Sequence, residues 1–458
     1  MVRHLLKYLV LFLVFVGISS CKIQREYNPP VLEEVPNYNN AAYGTGESFS
    51  NTSWWNLFND SILTSLIKEG MANNLPLNSM VNQLRQSQLQ MEIVGTQLYP
   101  GVNYGITGKG SLNTSTSGFS ESLVAATNVS YTLDLWGKIR NQNEAALQAY
   151  LATEMAYHQV RATLVSQIAT IYFTLRDVDN KIIVAEGMIA NMSDFKEIIE
   201  ARYEGGFISK VDLNQISVSL KDAQVVLQGL LRARNQLENA MSVALGSAPK
   251  TIARGLPLQE QIFPSSLPTG VPMDLLQRRP SILIAEHRLK AQLATIGATE
   301  ALQYPNLTLS LDLGSQLSDP SMLFSEFAGS LAGPIFNWGR IKKSIQIEEE
   351  KYAQWINDYK QAYLLAFQEV EDALIAMDTY EEEYNIRKAQ LELSQEALDL
   401  AWIRYNEGVT SLLEFLNLQT SLFNAQLLAS ENYKSYLQSI VRLYLALGGG
   451  WDSETNTN

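Results

Sequence analysis

The sequence is short of cysteine, histidine, net positive charge and long apolar runs, and each shortage removes a class of function. A single cysteine, Cys21, stands in 458 residues, so no disulfide within the chain is available in any compartment. The three histidines, His4, His158 and His287, fall in unrelated contexts, which leaves a multi-histidine metal site without ligands. There is no Gly-x-Ser-x-Gly elbow, no Walker loop and no dinucleotide fingerprint on a strand–helix unit. We therefore expect no enzyme, no cofactor and no metal. A formal net charge of −13 gives no electrostatic footprint for nucleic acid. Acidity suits a solvated surface or a cation-preferring passage, with solvation the default; the run Glu381-Glu382-Glu383 reads as a solvated helix face. Beyond the N-terminus no stretch approaches about 20 uninterrupted apolar residues. The chain is periplasmic or crosses a membrane as β-strands.

The N-terminus has a short basic region, Arg3 and Lys7, and an apolar run over 9–16, about half the length a spanning helix needs. Ile18-Ser19-Ser20-Cys21 resembles a bacterial lipobox, in which Cys21 is acylated and begins the mature chain. Lys22 after it fits outward sorting. An ordinary signal peptide with an incidental cysteine is the alternative. Residues 1–20 are thus expected to be a lipoprotein signal peptide and 21–56, rich in Asn, Pro, Gly and Ser, an extended tether.

What is present is a duplication. Arg404 through Gln426 repeats Arg202 through Gln224 at a constant 202-residue spacing, with Arg, Tyr, Gly, Ser, Leu, Ala and Gln in the same columns. An acid matches an acid, Asp212 and Glu414. In both copies an apolar helical pattern meets a glycine break, Gly205-Gly206 or Gly408, and then a hydroxyl residue, Ser209 or Ser411, placed to cap a second helix. Each copy reads as the tip of a helical hairpin. Residues 138–204 lack proline and carry a heptad seam through Leu164, Ile168, Ile171, Leu175, Val178, Ile182, Ala185, Ile189, Met192 and Ile199, passing over Lys196. A helix of that length reaches roughly 100 Å. The return helix, about 209–246, is shorter, and the helix expected over 76–98 supplies the difference. One long helix against two stacked end to end is the inferred arrangement, with a belt at their junction formed by a helix near 57–71 and the linker.

Residues 102–112 and 123–133 alternate apolar and polar, as do 307–317, and 323–335 reads as the return strand. A half-buried soluble hairpin and a membrane-spanning one fit this pattern equally. Four strands per chain fall short of the roughly eight of the smallest single-chain membrane barrels, and lipid does not tolerate an open sheet edge. If these strands span, copies share a barrel: two give eight strands and a filled lumen, three give 12 and a pore.

The lipobox, Trp54-Trp55 with Phe58, Asp60 and Leu63, the Tyr-Pro dipeptides before the strands, Trp136-Gly137-Lys138 and Trp338-Gly339-Arg340 after them, and the doubled Arg-Tyr…Gly…Ser tip together resemble the TolC-type outer-membrane efflux factor family, lipoprotein branch. The resemblance implies a mainly α fold with a small β part: an internally duplicated chain whose long coiled-coil hairpins form an α-barrel and whose four strands join a trimeric 12-stranded transmembrane β-barrel. It implies an outer-membrane exit duct in a Gram-negative bacterium, passive and gated like an iris. Its partners would be two further copies, outer-membrane lipid, a periplasmic adaptor and an inner-membrane RND-type pump. Carried over by motif, Tyr405 restrains neighbouring hairpins, Leu413 forms an apolar constriction, and Glu414 and Asn417 stand at the polar rings. Arg202, Tyr203, Gly206, Ser209, Asp212, Arg404, Gly408 and Ser411 belong to the tips that meet the adaptor. Asn417 departs from the family's common aspartate and Thr410 from an arginine of some members, which leaves one acid per chain in the constriction. Plain structural roles stand beside these: arginines on helix-end carbonyls, a core leucine, a first-turn acid favoured by the helix dipole. The repeats are expected over 57–251 and 273–451, with a linker at 252–272 and a tail at 452–458. A type I protein-secretion duct and a lipid-anchored coiled-coil scaffold are the rival functions.

Overall fold

The structure is a computed structural model that describes residues 25–32, 60–113, 118–261, 278–316 and 319–449. Cys21 and its lipobox, Trp54-Trp55, Phe58, most of the expected linker and the tail lie outside those residues.

Among the described residues seven α-helices and four strands run in the order α1 (Ser61–Asn73), α2 (Leu75–Gly95), β1 (Gly101–Asn113), β2 (Gly118–Leu133), α3 (Lys138–Glu204), α4 (Lys210–Ala244), α5 (Pro280–Glu300), β3 (Asn306–Gln316), β4 (Asp319–Ala332), α6 (Arg340–Asn406) and α7 (Leu412–Ala446). The described residues divide into two compact units. One holds 25–32, 82–155 and 283–362; the other holds 60–81, 156–282 and 363–449, so far as they are described.

The first unit contains the sheet, in the order β1-β2-β3-β4 with every pair antiparallel. Because side chains alternate across a strand, the register sorts the two faces. Val102, Val129, Leu311 and Phe327 form one row, and Asn103, Asn128, Asp312 and Glu326 form the adjacent row on the other face. Asn128 Nδ2 donates to Asp312 Oδ1 at 2.8 Å, and the Thr132 and Thr308 hydroxyls lie 3.2 Å apart. Among the described residues β1 and β4 each have one paired neighbour, and their apolar side chains Val102, Tyr104, Ile106, Leu323, Phe327 and Leu331 are exposed.

Strand β2 and strand β4 differ from the expected bounds. β2 starts at Gly118, inside the polar stretch expected to be a loop, because an antiparallel ladder is made of backbone and Gly118 still pairs with Asn113. β4 starts at Asp319, ahead of the expected Leu323, and stops at Ala332 instead of Ile335. Its last partner, Asn306, follows Pro305, which has no N–H to extend the ladder.

α3 opens on a carboxylate. Asp134 accepts from the backbone N–H of Ile139 at 3.0 Å and of Arg140 at 2.9 Å, satisfying donors that a first turn leaves free. Residues 25–32 have no regular structure, yet Arg25 reaches Glu300 at 2.7 Å and Glu349 at 2.6 Å, while Lys290 Nζ lies 5.0 Å from the Tyr27 ring.

In the second unit the heptad seam is the core. Leu164, Ile168, Leu175, Val178, Ile182, Ala185, Met192 and Ile199 are all buried. Where the strict repeat passes Lys196, the seam moves one residue and Phe195 is buried instead. Asp60 organises the junction of helices. Its Oδ1 accepts from Ile62 N at 2.9 Å and Leu63 N at 3.1 Å, capping α1. Its Oδ2 accepts from the Tyr172 hydroxyl at 2.7 Å, Gln261 Nε2 at 2.8 Å and Leu256 N at 3.0 Å. One carboxylate therefore ties α1, α3 and the segment after α4. The carbonyl of Ala244, at the end of α4, accepts from Asn74 Nδ2 at 2.9 Å, and Asn74 Oδ1 in turn accepts from Leu77 N in the first turn of α2. The end of one short helix thus meets the start of the other.

Candidate functional site at the hairpin tips

Both long helices end in the same backbone device. Gly206 (φ +77°) and Gly408 (φ +73°) occupy the left-handed region that costs a side chain free energy. Their N–H groups donate to Tyr203 O and Tyr405 O. The next residues, Phe207 and Val409, donate to Arg202 O at 2.9 Å and Arg404 O at 2.8 Å. It is the backbone carbonyls of the two arginines that close the helix ends, so their guanidinium groups are free for other contacts.

The return helices then start on serine. Ser209 Oγ accepts from Asp212 N at 3.3 Å, and Asp212 Oδ2 accepts from Ser209 N at 3.1 Å, a reciprocal capping box. Ser411 Oγ accepts from Glu414 N at 3.3 Å, but the Glu414 carboxylate turns elsewhere: it accepts from the Thr410 hydroxyl and from Arg404 Nη1 at 3.4 Å. The matched acids have separate jobs. Asp212 completes a cap, and Glu414 bridges the two sides of its own turn.

Between the hairpins lies an aromatic cluster. Phe195 of α3 makes edge contacts with Trp402, Tyr405 and Phe415 at centroid distances of 5.2, 5.9 and 4.8 Å. Met192, Ile199, Ile216, Leu412 and Leu416 close around it. The Arg202 guanidinium lies 5.4 Å from the centre of the Tyr405 ring, and its Nη2 donates to Asn406 Oδ1 at 3.4 Å. A cation over an aromatic face is attractive by about 0.5–1 kcal/mol where exposed. Arg202 and Tyr405, one from each hairpin, therefore meet directly.

Leu413 and Asn417 do not join this cluster. They are one helical turn apart on the exposed face of α7, with Leu413 half exposed. Tyr203 is part-buried near its turn. At the apex of each turn stands an exposed apolar side chain, Phe207 and Val409. These occupy the same column of the repeat, and an apolar residue twice at a glycine turn was the signal that singles them out.

Further along, Lys181 of α3 is held by Asp177 at 2.9 Å and by Glu431 of α7 at 2.7 Å, while Ser430 donates to Asp177 Oδ1 at 2.6 Å. Burial works against the ammonium charge, but the two carboxylates outweigh it and raise the Lys181 pKa. The Glu431 carboxylate is lowered, chiefly by its hydrogen bond from Lys181. His158 and His287 are both lowered, first by burial. Among the described residues no cluster of three or more His, Cys, Asp or Glu converges on a point, and no helix is long and apolar enough to cross a membrane.

The sequence model of the family described as "Outer membrane efflux protein" matches residues 66–247 and 271–449. The chain is 32% identical to the probable efflux pump outer membrane protein TtgC of Pseudomonas putida, over 99% of this chain and 97% of that one. It is 29% identical to the cation efflux system protein CusC of Escherichia coli, over 96% and 98%. Among solved structures, the open state of the MtrE outer membrane channel of Neisseria gonorrhoeae superposes with a TM-score of 0.86 at 27% identity, covering 94% of this chain and 98% of that one.

Proposed function

The chain belongs to the outer membrane efflux protein family, and from that premise we propose that three copies form the exit duct of a tripartite efflux assembly, taking drugs or other toxic small molecules across the outer membrane. The observation that carries this is the sheet. Its four strands have an apolar face, a polar face and two open edges, and such a sheet is stable in lipid only when further copies close it. Three copies give 12 strands and a lumen wide enough for solute.

In this reading the tips are the gate and the docking end. Tyr405, with Arg202 over its ring and Phe195 against its edge, holds the second hairpin against the first. Leu413, Glu414 and Asn417 present the constriction. Asp212, Ser209, Ser411 and the two tip glycines set the turns that meet a periplasmic adaptor, which couples the duct to an inner-membrane RND-type pump. Cys21 carries the lipid, and the duct itself catalyses nothing. The repeats, linker and tail take the bounds expected from the sequence. TtgC and CusC are described as pump and cation-efflux components, which favours small solutes over secreted protein here.

Deletion of the gene, followed by a panel of toxic compounds, tests the function. Susceptibility should rise several-fold for at least one compound class and return to normal with the intact gene. Unchanged susceptibility together with loss of a secreted protein would transfer the chain to protein secretion.

A further inference from the structure

The two halves of the chain carry the same strand-to-helix junction, and one is covered while the other is bare. In the first half Trp136 follows β2. Its indole Nε1 donates to the carbonyl oxygen of Pro305 at 2.8 Å, and its ring stacks on Tyr304 with centroids 4.8 Å apart. Tyr304-Pro305 leads into β3, the strand that β2 pairs with. The tryptophan at the end of one strand thus clamps the start of the next.

Trp338 is the counterpart of Trp136 after β4, and Tyr99-Pro100 is the counterpart of the socket before β1. Trp338 is 84% exposed and Tyr99 72% exposed, and Pro100 is exposed beside it. Trp338 touches Phe336, itself exposed, with ring centroids 4.6 Å apart. It is also the one non-glycine residue at positive φ among those described, at +54°, a conformation that costs about 1–2 kcal/mol. Where the first junction has Asp134 capping its helix, the second has Phe336 in the same column. Plug and socket stand at opposite edges of a four-stranded sheet, three strand spacings or about 14 Å apart. Within one chain they do not meet.

We propose that Trp338 of one copy seats on Tyr99-Pro100 of a second copy of this chain. Its indole N–H donates to the neighbour's Pro100 carbonyl, and β4 pairs with the neighbour's β1 in the register that β2 uses on β3. That register sets Leu331 opposite Ile106 and Ile335 opposite Val102, as Val129 stands opposite Leu311 and Leu133 opposite Leu307 within the chain. It lengthens β4 to Ile335, three residues past its end in the single chain. All four of these side chains are exposed apolar groups that the pairing covers. A lipid surface is the competing occupant, but it offers no partners to the N–H and C=O groups of two open edges, whereas a second copy supplies both. The inference rests on the shared-barrel reading and adds the contact that fixes its register.

The test uses the full chain in outer membranes, with Leu331→Cys and Ile106→Cys combined. Disulfides need Cα atoms about 4.4–6.8 Å apart, so oxidation should give cross-linked bands at two and three chain masses that reducing agent removes. Each single variant, and the pair Leu331→Cys with Tyr104→Cys displaced by two residues on the same face, should give none. Trp338→Ala should lower the temperature at which the detergent-resistant oligomer falls to single chains, and Trp338→Phe, which keeps a ring but no N–H, should fall between. Cross-linking in the displaced pair instead, or an oligomer indifferent to Trp338→Ala, overturns the plug while leaving the shared barrel standing. A particle of one chain under all conditions overturns both.

Discussion

Tyr405 matters because its ring is engaged from two directions, by Phe195 at its edge and by Arg202 over its face. Truncating a buried aromatic costs about 3–5 kcal/mol, so Tyr405→Ala should leave the second hairpin poorly held. The expected result is a higher single-channel conductance in planar bilayers, with Tyr405→Phe close to the parent because ring contacts survive. Equal conductance in all three would remove Tyr405 from the gate. Asp60 makes a second prediction, about stability. Burial opposes its charge, but the hydrogen bonds from Tyr172, Gln261, Leu63 and Ile62 outweigh it and hold the carboxyl below the usual aspartate value of 3.8. A group depressed in the folded state stabilises fully above its unfolded value and loses that contribution as pH falls through the folded one. Asp60→Asn turns an NH2 toward the three donors on Oδ2 and should cost about 1–3 kcal/mol. Calorimetry should show a Tm deficit that is flat from about pH 5 to 8 and narrows only in stronger acid. A deficit that grows toward low pH would contradict this account.

At the scale of elements, the sheet's polar face sets what a lumen would prefer. Asp312 and Glu326 are direct cross-strand partners on that face, so three copies would place six carboxylates in one belt. Asp312→Asn with Glu326→Gln should shift the zero-current potential under a potassium chloride gradient toward zero; no shift would put the selectivity elsewhere. Elements were also where the sequence was most legible. Heptad spacing and freedom from proline defined α3, the repeat carried that reading to α6, and alternation found three strands and left the fourth as their return, because both patterns report a one-sided burial that the fold keeps. The tip turns were legible because glycine and serine are chemically obliged there. Other features were not. The seam uses Phe195 where the strict repeat falls on Lys196 and is back in register at Ile199, and spacing alone does not say which neighbour fills that place. Arg202 over Tyr405 joins residues about 200 positions apart, and matched columns gave no hint that Asp212 and Glu414 would take different partners. Asp60 looked like one letter of a motif, yet it accepts five hydrogen bonds, three of them on Oδ2 from α3 and the segment after α4.

At the scale of the whole molecule, a single chain is an unfinished object: its sheet ends in two unpaired edges, and its exposed Trp338 and Tyr99 repeat a contact that the other half has already made. Closure by further copies resolves both and turns a chain of the outer membrane efflux family into a bore. The most direct measurement is current through the purified full-length protein in a planar lipid bilayer. The account predicts discrete conductance steps of uniform size, carried by the same oligomer that survives detergent. A stable, lipid-inserted protein that never conducts, with its tips intact or loosened by Tyr405→Ala, would contradict it.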